Sequence, residues 1–158
     1  MATDPKEPQQ SPDFPDAFYR VTVKGLLVQD DKLMMVEDAV DYPLVQWELP
    51  GGGLDFGETD PRDALRREIK EEMGLEVEWI AEKPLYMWVK KRLDRRGMDW
   101  YYILALVYPI KVSHLNFIPS DECRSIVFWD KEELAANRDK ITDQMHPLID
   151  LFNPADFK

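Results

Sequence analysis

The chain has 158 residues, 44% of them hydrophobic, and carries 31 acidic against 20 basic side chains for a formal net charge of −11. That length suits one domain, and the apolar content is enough for a real core, which excludes global disorder. The acid excess argues against a protein that coats long nucleic acid, which would present a basic stripe, but it leaves small phosphorylated ligands open because bound cations invert a local field.

Residues 1–16 are rich in Pro, Gln, Ser and charge and read as a disordered tail ahead of a single domain at 17–158. The opening stretch has neither the basic start nor the apolar run of a secretory signal. The chain has no apolar run of about 18 residues, so no membrane-spanning helix is expected. Cys123 is the single cysteine and has no partner for an internal disulfide, which fits a reducing, cytoplasmic compartment.

Residues 18–28 are β-rich, Gln29-Asp30-Asp31 supplies a turn, and residues 32–37 read as the hairpin partner. A loop with Asp41 and Pro43 leads to a short strand at 45–49, ended by Pro50. Residues 51–58, GGGLDFGE, read as a glycine-rich loop. The clearest helix follows. Asp60 is a good N-cap, Pro61 suits the first helical position, and Asp63 favours the first turn. Leu65, Ile69 and Met73 form a four-residue-spaced stripe for burial, and Gly74 ends the helix. Strands are expected at 75–80, at 85–91 and 100–110 as hairpin arms with a basic tip, and at 125–129. Helices are expected from 131 and over 141–152. The order β-rich, helix, β-rich, helix implies an α/β sandwich with a mixed sheet.

The helix carries an arrangement that stability alone disfavours. On a helical wheel Glu71 falls about 60° to one side of Glu68 and Glu72 about 40° to the other, so three carboxylates share one face. Like charges at these spacings cost about 0.2–0.5 kcal/mol each. Glu71 and Glu72 also occupy the last turn, where the helix dipole opposes anions by about 0.3–1 kcal/mol. A hard divalent cation removes the conflict, since such ions take carboxylate oxygens. A solvated face screened by Arg66, Arg67 and Lys70 is the plainer alternative for an isolated EIKEE. The flanking sequence shifts the balance.

Residues 52–75, GGLDFGETDPRDALRREIKEEMGL, resemble the Nudix box, G-x5-E-x7-R-E-U-x-E-E-x-G-U with U aliphatic. Gly52, Glu58, Arg67, Glu68, Ile69, Glu71, Glu72, Gly74 and Leu75 match its fixed positions, and Trp47-Glu48-Leu49-Pro50-Gly51 resembles the usual lead-in. The chain departs at one point: eight residues rather than seven separate Glu58 from Arg67. The Pro61-to-Arg67 spacing is kept, so the extra residue belongs to the loop.

The resemblance implies an α/β/α sandwich with a mixed β-sheet and hydrolysis of a diphosphate linkage in a small nucleotide or nucleotide-like substrate. It implies Mg²⁺ as cofactor, with Mn²⁺ as the alternative. Gly52 (by its carbonyl), Glu68, Glu71 and Glu72 are the implied metal ligands, Glu71 and Glu72 foremost, and Glu68 is alternatively a group that activates water. Arg67 is expected to orient a carboxylate, Glu58, as structural support. A later-loop acid often serves as base or ligand in this family, and Glu122 is the candidate here, with Asp121 second. Nucleoside triphosphates are slightly favoured as substrates. A nucleotide-sugar or ADP-ribose-type pyrophosphatase and a non-catalytic nucleotide sensor are the alternatives. A homodimer is left open, and the basic hairpin tip reads as a solvated turn or a dimer contact before a phosphate contact.

Overall fold

A computed structural model describes residues 19–38, 46–93 and 100–158. The expected tail at 1–16, the loop with Asp41 and Pro43, and residues 94–97 of the basic tip lie outside the described residues.

The chain forms β1 (Tyr19–Leu26), β2 (Val28–Gln29), β3 (Lys32–Asp38), β4 (Gln46–Glu48) and β5 (Gly51–Gly53) before α1 (Pro61–Met73). Then come β6 (Val77–Ile80), β7 (Tyr86–Leu93), β8 (Trp100–Val112), β9 (Ile126–Trp129), α2 (Lys131–Ala136) and α3 (His146–Leu151). One sheet is mixed: β1 runs parallel to β8 and antiparallel to β5, while β7 and β6 pair antiparallel with β8. The second sheet is antiparallel, with β2, β4 and β9 all pairing with β3.

The helices cover opposite sides. Ala64, Leu65, Ile69 and Met73 of α1 pack with Val23, Met34, Val36 and Ile110 in one core. Leu134 of α2 and Leu148 and Ile149 of α3 pack with Leu33, Met35, Trp88 and Val107 in the other. Alternate residues of β3 thus feed both cores, as the period of a strand requires. This is the expected α/β/α sandwich with a mixed sheet. Leu65 is fully buried in the α1 core, so Leu65→Ala is expected to lower unfolding free energy by about 2–5 kcal/mol in urea titration; a loss below about 1 kcal/mol would contradict this packing.

Three local expectations need correction. Residues 32–37 form a hairpin only with the end of 18–28: both edges of β1 are taken, by β5 and β8, and β3 is met by the Leu27 carbonyl and by Val28–Gln29 across the Asp30-Asp31 turn. The glycine run is not all loop, because Gly51–Gly53 pairs with Thr22, Val23 and Lys24 as an edge strand. Glycine is a poor strand former, but here the strand backbones crowd it: a Cβ on Gly51 would lie 2.1 Å from the Val23 carbonyl oxygen. The helix expected over 141–152 is interrupted, with a 3₁₀ turn at Asp143–Met145 and α3 beginning only at His146. A continuous helix would bury Pro147 in its interior, where it lacks an amide donor; at the start of α3 it is tolerated.

Candidate active site

Helix α1 is built as its sequence demands. The Asp60 carboxylate accepts from the Arg62 amide, Pro61 opens the helix, and Gly74 closes it in the left-handed region at φ 67°. This frame points Glu68 and Glu72 inward, 8% and 5% exposed, toward the β5 edge. Glu72 Oε2 accepts from the Gly51 amide at 3.2 Å. The Glu68 carboxylate lies against the bare Cα of Gly52, where a Cβ would meet its Cδ and Oε2 at 2.5 Å.

Arg67 ties the neighbouring acids together. Its Nη2 donates to Glu58 Oε1 at 2.8 Å and its Nε to Glu58 Oε2 at 3.3 Å, a two-pronged grip. Its Nη1 donates to Glu68 at 3.0 Å and to Glu71 at 3.2 Å. Glu58 therefore reaches Arg67 despite the longer loop, and the extra residue is absorbed before Pro61. The guanidinium beside it, chiefly through that hydrogen bond, holds the Glu58 carboxyl below the usual carboxylate range.

A distant loop supplies the remaining acid. The Ser120 hydroxyl donates to the Glu72 main-chain carbonyl and accepts from the amides of Glu122 and Cys123. The Ile118 amide donates to the Met73 carbonyl at 2.7 Å. These bonds dock the loop on the end of α1, and carboxylate oxygens of Glu68, Glu72 and Glu122 come within 4.8 Å of one another. Glu71 is not in that trio. It lines the same cleft, but its side chain is 49% exposed and held by Arg67. Asp121 does not line the cleft. Cys123 is fully buried, and burial pushes its thiol up to about 12, which suits a packed residue rather than a nucleophile.

The cleft encloses about 280 Å³, with six acidic side chains and two basic ones among its lining. Sequence reasoning missed part of it. Lys24 is 3% exposed, with Nζ 2.8 Å from the Gly51 carbonyl and 3.6 Å from Glu48. Gln144 donates to Glu48 at 3.1 Å. The available signal was a lysine inside an otherwise apolar stretch, VTVKGLL, where a buried charge demands a partner.

The donors fit a hard divalent cation: three carboxylates converge, two of them out of water. Burial raises the Glu68 carboxyl above its ordinary value near 4.5, against the pull of Arg67. Burial raises Glu72 well above the same value, only partly opposed by Lys24 and the Gly51 amide. Groups raised on folding stabilise fully below their unfolded value, and that contribution is lost as pH rises through the folded value. The metal-free protein is therefore expected to lose melting temperature as pH is raised from about 5, with saturating Mg²⁺ flattening the slope. A melting temperature that climbs with pH over that window without metal would contradict it. Glu58, being lowered, acts in the opposite sense and below about 4.5.

A family model described as the NUDIX domain matches residues 18–152. The chain belongs to the NUDIX domain family. It is 37% identical over 94 residues to Nudix hydrolase 26, chloroplastic, of Arabidopsis thaliana, a match covering 54% of this chain and 43% of that protein. It is 38% identical over 85 residues to an RNA pyrophosphohydrolase of Cereibacter sphaeroides, covering 52% of each. The chain thus spans about half the length of the curated relatives it matches.

Two solved structures share the Nudix fold with it. The E. coli ORF135 protein aligns with a TM-score of 0.65 at 18% identity, over 85% of this chain and 88% of that one. A MutT protein from Methanosarcina mazei aligns with a TM-score of 0.65 at 15% identity, over 92% and 100%. Within the Nudix box of this chain, Glu58, Arg67, Glu68 and Glu71 form one bonded set, and Glu72 is anchored separately on β5.

Proposed function

We propose that this Nudix protein is a cytoplasmic pyrophosphohydrolase that splits a phosphoric anhydride in a nucleotide or nucleotide-like substrate. Mg²⁺ is its ion and Mn²⁺ the substitute. Nucleoside triphosphates, cleaved to monophosphate and pyrophosphate, are the favoured substrates. The observation that carries the proposal is the meeting of Glu68, Glu72 and Glu122 in a cleft able to take a diphosphate.

A diphosphate repels an attacking oxygen and leaves as an anion. A divalent cation, when bound, supplies positive charge to the phosphoryl oxygens and acidifies the attacking water. In this reading Glu68, Glu72 and Glu122 hold the ion, and the Gly52 carbonyl adds a neutral oxygen. Glu71 is exposed and stands outside the ion-holding trio, so it is the proton acceptor at hand when water attacks. Arg67 and Glu58 act on the acids rather than on substrate. Their two-pronged contact fixes the guanidinium, which in turn aligns Glu68 and Glu71.

A second reading places the diphosphate at the 5′ end of an RNA, and the relatives named RNA pyrophosphohydrolase favour it. The net charge of −11 opposes a long grip on nucleic acid. It does not oppose contact restricted to a terminus. Incubation with nucleoside triphosphates, a nucleotide sugar, ADP-ribose and a 5′-triphosphorylated oligoribonucleotide, with and without Mg²⁺, separates these readings by product. Mg²⁺-dependent release of pyrophosphate or a monophosphate is expected. Binding without turnover of any of them would overturn the catalytic reading in favour of a sensor.

A further inference from the structure

Of the buried side-chain oxygens that lack a hydrogen-bond partner among the described residues, one lines the cleft: the Thr22 hydroxyl. Thr22 is 6% exposed. It stands in β1 between Arg20 and Lys24, and the period of a strand puts all three on one face. All three line the cleft, as do the glutamates of α1. An unmet buried hydroxyl is costly, whereas valine would fill the same space in a strand at no such cost. Packing alone does not explain a threonine here.

The register shows what lies beside it. Thr22 pairs with Gly53. The Arg20 guanidinium lies across that glycine, so close that a Cβ would meet Nη2 at 2.2 Å. Glycine leaves the room in which Arg20 folds over the rung. Lys24 differs, because its ammonium is held in the wall by the Gly51 carbonyl and Glu48.

We propose that the Thr22–Gly53 rung, with Arg20 folded across it, is a phosphoryl-oxygen subsite. The guanidinium lifts onto a non-bridging oxygen of the substrate's diphosphate, and the Thr22 hydroxyl donates to the same phosphoryl group. This rests on the reading of the cleft as a diphosphate site. The planar guanidinium fork matches phosphate oxygens. The anion then meets a cation and a neutral donor on the strand side, facing the carboxylates with their ion on the helix side.

The test is calorimetric titration of the full chain with imidodiphosphate in Ca²⁺, paired with steady-state kinetics. Thr22→Val is expected to weaken binding and raise KM by about tenfold, with kcat nearly unchanged, as fits loss of one donor to a charged acceptor. Thr22→Ser, which keeps the hydroxyl, should bind like wild type, and neither variant should melt lower. Should the valine variant fold poorly, Arg20→Gln carries the same expectation. Affinity unchanged in Thr22→Val, or no imidodiphosphate binding by wild type, overturns the subsite. Wild-type turnover alongside an unaffected Thr22→Val defeats the subsite alone. Imidodiphosphate binding that depends on Thr22, without hydrolysis of any nucleotide, defeats the hydrolase reading alone.

Discussion

Glu72→Gln is expected to lower kcat by about three orders of magnitude while leaving the fold standing, since loss of several kcal/mol of cation-mediated stabilisation corresponds to that factor. Glutamine has the same shape and its carbonyl oxygen can still accept from the Gly51 amide. The charge goes, and an NH2 group takes the place of the second acceptor oxygen. Because burial penalises the ionised form of Glu72, its neutral replacement should melt no lower than wild type at neutral pH, and the slope of melting temperature with pH should shrink. Product release, Mn²⁺ titration and thermal melting check the three parts. Turnover within tenfold of wild type would remove Glu72 from any cation-holding role.

Gly52→Ala is expected to cost about a hundredfold in turnover, the scale on which a misplacement near 1 Å acts in a positioned site. Gly52 is not among the glycines with positive φ. Its backbone therefore accepts alanine, and the damage comes from the new methyl meeting Glu68 Oε2 at 2.5 Å. The carboxylate must move, and its contact with Arg67 moves with it. Near-native melting with lost turnover and weakened Mn²⁺ affinity is the predicted pattern. Full activity would mean that the Gly52–Glu68 contact has no bearing on the chemistry.

Much of the fold was legible because local signals and packing agree in α1. Cap, N-terminal proline, apolar stripe and terminal glycine all sit where the sequence puts them. Sheet order was not legible. That β1 pairs in parallel with a strand some eighty residues away depends on which edges remain free, and no local pattern records that.

The candidate site shows the same division. The spacing of Glu68, Glu71 and Glu72 places them on one helical face, but burial separates them, and spacing carries no information on burial against another element. Glu68 and Glu72 turn toward the glycine edge while Glu71 stays at the rim with Arg67. Glu122 was marked only by its place in a later loop. Its approach rests on Ser120 bonding to the end of α1, a contact spanning 48 residues of sequence. Lys24, Glu48 and Gln144 were missed because their roles arise from mutual contact across three separate elements.

Crystals soaked in Mn²⁺ and recorded for anomalous scattering test most directly whether these acids exist to hold a cation. The predicted result is a peak bounded by Glu68, Glu72 and Glu122, within about 2.3 Å of carboxylate oxygens. Absence of a peak there under saturating Mn²⁺, with the three carboxylates turned apart into solvent, would contradict it.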